Sequence, residues 1–70
     1  MRYRDIARKL RELGCEEIAR HSGGSHRKWH NPTTGAVAPV PDWGNKDLKL
    51  GTVRRIVSQL GLDWDVFKQV

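Results

Sequence analysis

Residues 26–41 read HRKWHNPTTGAVAPVP, two short runs on either side of a turn. In NPTTG, Pro32 fixes one backbone dihedral and Gly35 accepts a positive φ, so the chain reverses there. HRKWHN then offers one strand, with Trp29 as its large apolar side chain, and AVAPVP offers the next. Pro39 and Pro41 cannot donate ladder hydrogen bonds, which predicts that the second of these strands lies at a sheet edge or stops early. Alternation along the first strand sorts its residues by face. If Trp29 points to the core, Arg27 shares its side, and His26, Lys28 and His30 line up on the other.

Working outward, SGGS at residues 22–25 is a flexible break. Before it, CEEIARH is short and lacks a helical stripe, which predicts a strand from Glu16 to Arg20 anchored inward by Ile18. Residues 16–40 thus read as a three-stranded antiparallel meander. Upstream, Tyr3, Ile6, Ala7, Leu10 and Leu13 follow the spacing of an amphipathic helix that Gly14 can end. Downstream, DWGNKDLKLG is a polar loop. Thr52 is the expected N-cap of a second helix, with Val53, Ile56, Val57 and Leu60 on its apolar face and Gly61 at its end. Asp63 can cap a short last helix that buries Trp64 and Phe67. The expected class is α+β, with helices on one face of the sheet.

A chain of 70 residues predicts one domain with a small core. Thirteen Lys and Arg against eight Asp and Glu give a net charge of +5, which points to a polyphosphate partner rather than lipid. Cys15 is the single cysteine and cannot form an internal disulfide. Nothing reads as a secretory or spanning segment, so the expectation is a reducing cytoplasm, no membrane, and a monomer or weak dimer in isolation.

Three histidines cluster at residues 21–30. On a strand, His26 and His30 share a face but stand about 13 Å apart, too far to chelate one ion, and no second cysteine is available. No metal and no cofactor are expected. Ser25 and His26 are adjacent and point to opposite faces of a strand, which argues against a serine-hydrolase pair. An imidazole beside a fixed cation does suit phosphodiester cleavage. The ring can move a proton at a ribose hydroxyl or a leaving oxygen, while the ammonium offsets charge growing on phosphorus. The spacing alone favours a histidine-bearing hairpin without chemistry. Two features could hold phosphates: the amides of Gly23 and Gly24, and the start of the second helix with Lys46 and Lys49 upstream.

GGSHRKW at residues 23–29, VPDWGNKDLKLGTVRRIVSQLGL at residues 40–62 and the leading amphipathic helix together resemble the HicA family of small toxin proteins. The resemblance spans essentially the whole chain, and KDLKLGTVRRI behind a VP strand end is its most specific part. It implies a double-stranded-RNA-binding-like fold, α-β-β-β-α, with a translation-independent mRNA-cleaving ribonuclease activity and neutralisation by a HicB-type antitoxin. The GSH element places the family's catalytic histidine at His26 and implies that Gly24 and Ser25 shape the approach to it. Lys28, His30 and Lys46 enter as RNA-binding residues on geometry and charge instead. The chain departs from the family at Asp42-Trp43, where many relatives carry a histidine. An RNA-binding module that does not cut, and a domain whose basic face serves only an antitoxin, are the rival readings.

Overall fold

The computed structural model describes residues 1–18 and 26–70. Helix α1, Tyr3–Glu12, buries Ile6, Ala7 and Leu10, the positions its apolar stripe predicts. The Asp5 carboxylate reaches back to accept from the Arg2 amide at 3.2 Å, satisfying a donor the helix start leaves free. Gly14 closes the helix at φ 88°, and the Cys15 amide then reaches the Leu10 carbonyl at 2.9 Å. No neighbouring atom would meet a Cβ at Gly14, so its requirement is conformational rather than steric.

Strands β1 (Glu16–Glu17), β2 (His26–Asn31) and β3 (Ala36–Pro41) form an antiparallel sheet in the order β1-β2-β3. The first is shorter than the predicted Glu16–Arg20. Its ladder runs one residue further, through the Ile18 amide to the Lys28 carbonyl at 2.8 Å, and residues 19 and 20 lie outside the described part. Ile18 is not an inward anchor. Glu17 pairs with Trp29, so Glu17 shares the core face and Ile18, of opposite parity, is 40% exposed. The inward position that an apolar residue was expected to fill belongs to a carboxylate.

The edge placement of β3 follows its prolines. Because Lys28 exchanges its backbone bonds with β1, its pairing with Pro39 is of the non-hydrogen-bonded type, and the same parity applies to His26 with Pro41. Both proline nitrogens therefore face the free edge, where no ladder bond is lost and little is offered to another strand. The Gln59 side chain donates to the Val37 carbonyl at 3.1 Å and covers part of that edge.

Helix α2, Leu50–Gln59, begins three residues before the start that Thr52 as N-cap predicts. Lys49 occupies the N-cap position without a side-chain bond, and Thr52 lies inside the first turn. Leu48, only 4% exposed, fixes where the chain enters the helix, so burial overrides the capping preference. Helix α3, Trp64–Gln69, does start as expected: Asp63 Oδ1 accepts from the Val66 amide at 3.0 Å. Phe67 is buried against a half-buried Trp64 whose ring stacks on it at 5.7 Å.

One core joins these elements. Trp29, Ala38 and Val40 on the inner sheet face pack with the buried residues of α1 and α2 and with Leu60 and Phe67. The helices thus lie on one face, giving the α-β-β-β-α order with a short C-terminal helix. Asn31, buried at the end of β2, ties the hairpin to α2: its Nδ2 donates to the Leu60 carbonyl at 2.7 Å while its Oδ1 accepts from the Thr33 amide at 3.1 Å.

Candidate nucleic-acid interface

The sheet face opposite the helices is open, and β2 runs down its middle. His26, Lys28 and His30 all project there, with Arg27, Trp29 and Asn31 toward the core, as the pleat predicts. His26 and Lys28 are exposed and His30 is half-buried. Each has defined cross-strand neighbours: Pro41 beside His26, Pro39 beside Lys28, and Val37 with Glu16 flanking His30. The His26 and Lys28 backbones stand about 7 Å apart, and His26 and His30 about 13 Å. Lys28 can therefore share a phosphate with His26, whereas His30 serves a different point along a bound strand.

What holds His26 outward is its neighbour. Arg27 on the core side donates from one terminal nitrogen to Glu17 Oε2 at 2.9 Å and from Nε to Asp42 Oδ2 at 2.9 Å. Hydrogen bonds to Glu17 and then Asp42 hold its guanidinium above its ordinary, already high, pKa. The network continues inward. Tyr3 Oη donates to Glu17 Oε1 at 3.4 Å and accepts from Trp29 Nε1 at 3.2 Å, so the indole nitrogen of the core is satisfied. Burial pushes the Tyr3 phenol up, against the lowering effect of the Trp29 bond. With Arg27 anchored by two carboxylates, twisting β2 to bury His26 would break both pairs.

Asp42 thus acquires a structural role. Its other oxygen, Oδ1, accepts from the Gly44 amide at 3.2 Å, and the Lys46 amide reaches the Trp43 carbonyl at 3.3 Å. Gly44, at φ 63°, completes this tight turn after β3. Trp43 is left 46% exposed, and together with Lys46 it lines a shallow depression of about 380 Å³. Sequence reasoning placed Lys46 among the phosphate-holding residues, and the structure sets it beside Trp43. The Arg27–Asp42 pair was missed. The only signal for it was an acid where the family motif carries a histidine.

Gly24 and Ser25, expected to shape the approach to His26, lie outside the described residues, as do Gly23 and His21. Cys15 sits in the core, where burial pushes its thiol up and away from the nucleophilic thiolate. Among the described residues, no three His, Cys, Asp or Glu side chains come together, and no helix is long and apolar enough to cross a membrane.

No curated protein and no solved structure gave a match to the chain. The family model of the HicA toxin of bacterial toxin–antitoxin systems matches residues 3–62, from the first residue of α1 through the end of α2 and the Gly61 turn, and takes in the whole sheet. With that coverage, the chain belongs to the HicA toxin family.

Proposed function

We propose that this toxin is an endoribonuclease that cleaves mRNA without a metal ion, with His26 moving the proton. The observation that carries the reading is the exposed imidazole of His26 on an open sheet face, two residues from the exposed ammonium of Lys28. In the proposed reaction His26 takes the proton of a ribose 2′-hydroxyl. The 2′-oxygen bonds to phosphorus as the bond from phosphorus to the 5′-oxygen breaks, leaving a 2′,3′-cyclic phosphate. The departing oxygen takes a proton from water, and the imidazolium returns its own to the hydroxide so formed. Lys28 offsets charge on the non-bridging oxygens in the transition state. His30 and Lys46 hold the strand to either side, and Gly24 and Ser25 form the approach that the GSH motif implies.

One imidazole supplies about 10² to 10⁴-fold of acid–base help, which fits a slow nuclease. A HicB-type antitoxin of acidic character, covering the open face, is the proposed inhibitor; the net charge of +5 favours fast association with it. Cytoplasm is the proposed compartment, since the substrate is there.

The test compares an RNA strand with a DNA strand of the same sequence, in chelator, for the parent chain and His26→Ala. RNA alone should be cut, with a cyclic phosphate end, and the variant should lose cleavage by about 10² or more while binding RNA within a few-fold. Equal cutting of DNA rejects the 2′-hydroxyl mechanism. Full cleavage by the variant rejects His26, and no cleavage by either protein leaves an RNA-binding module.

A further inference from the structure

We propose that Trp43 and Lys46 form a nucleotide subsite: the indole stacks on one base of single-stranded RNA and the ammonium holds an adjoining phosphate. The proposal rests on the ribonuclease reading and names what would select its substrate.

The geometry supports it in three ways. First, the two side chains line one depression, and the turn that brings them together is fixed at both ends, by the Asp42 carboxylate on the Gly44 amide and by the Trp43 carbonyl on the Lys46 amide. The subsite is therefore largely built before ligand arrives, which reduces the ordering that binding requires. Second, Trp43 differs from the other two indoles. Trp29 is fully buried and Trp64 lies half-buried against Phe67, with the Arg54 guanidinium 5.2 Å from its ring, whereas Trp43 stands 46% exposed without a stacking partner among the described residues. Lys46 is likewise exposed, and none of the ion pairs among the described residues involves it. Third, the register sets the distance. Pro41 pairs with His26, and Trp43 follows two residues later, so its backbone lies no more than about 13 Å from that of His26. A nucleotide next to the cleaved linkage can reach the indole from there.

An aromatic face beside a single cation matches a base and its phosphate. Stacking accepts any base, so this subsite tunes preference among nucleotides by stacking strength rather than by reading edges. The same pair anchored to Arg27 through Asp42 also couples the subsite to the strand that carries His26.

The experiment uses the full chain carrying His26→Ala, so that RNA is bound and not consumed. Short single-stranded RNA of mixed sequence should quench tryptophan emission, and Trp43→Ala should remove the quench and weaken binding about tenfold or more. Trp43→Phe, read by anisotropy of a labelled RNA, should retain most of the affinity, while Trp43→Leu should not. In the cleaving protein, Trp43→Ala should raise KM and flatten any preference for the base beside the cut. Unchanged RNA affinity in a folded Trp43→Ala chain overturns the proposal and leaves the indole a protein contact. Equal binding by the Phe and Leu variants overturns stacking. Quenching by RNA in a chain that never cleaves supports the subsite while removing the ribonuclease reading, so the two failures are distinguishable.

Discussion

His26 and Arg27 are consecutive residues with opposite physical assignments. The first is an exposed imidazole paired across the strand with Pro41; the second is a cation bonded to two carboxylates at 2.9 Å each. Truncating Arg27 would leave Glu17 and Asp42 as half-buried acids on one face with no bridging cation. Arg27→Ala should therefore lower stability, read as a fall of the urea midpoint. His26→Ala should fall within about 0.5 kcal/mol of the parent. If Arg27→Ala proves as stable as His26→Ala, the pairs do not hold β2 and another cause must orient the histidine. The face of every β2 residue was legible because a strand alternates with period two and Trp29 fixes the phase. The Arg27–Asp42 pair was not, since its partners are 15 residues apart and only the hairpin register brings them together.

At the scale of elements, local preference and burial compete, and the two helix starts show each winning once. The six-residue helix α3 is capped by Asp63, whose carboxylate accepts from the Val66 amide. It is tied down at its other end by Lys9, whose Nζ donates to the carbonyls of Phe67, Lys68 and Val70 at 3.3, 3.2 and 2.9 Å. Thr52 has the side chain of a cap but lies inside α2, because Leu48 must reach the core first. Asp63→Ala should lower stability by about 1 kcal/mol, and Thr52→Ala should change it by less than about 0.5 kcal/mol, both by urea denaturation. An equal loss at Thr52 would restore it as a cap. The misreading of Ile18 has a related origin. In a two-residue strand the pattern is too short to set its own phase, and pairing with Trp29 sets it instead.

Across the whole molecule, the carboxylates are occupied in ways that leave the open face positive. Asp5 and Asp63 cap helices, Glu12 and Asp65 pair within helices, Glu17 and Asp42 hold Arg27, and Asp47 meets the terminal ammonium. Among the described residues, only the carboxylate of Glu16 faces the open sheet, opposite His30. Lys28 and Lys46 have no such partners among the described residues, so each leaves a positive charge where RNA is proposed to lie. Each phosphate neutralised on a single strand adds about 0.7 to the steepness with which log affinity falls with log salt. With the non-cleaving His26→Ala chain and single-stranded RNA between about 50 and 200 mM salt, Lys28→Ala and Lys46→Ala should each reduce that slope by about 0.7. Arg8→Ala removes the same charge from α1, where Arg8 pairs with Glu12 at 3.3 Å, and should leave the slope unchanged. Net charge alone would make the three substitutions equivalent; a direct contact with the bound strand separates the two lysines from the arginine, and equal slopes in all three variants would mean that the strand does not lie against these lysines.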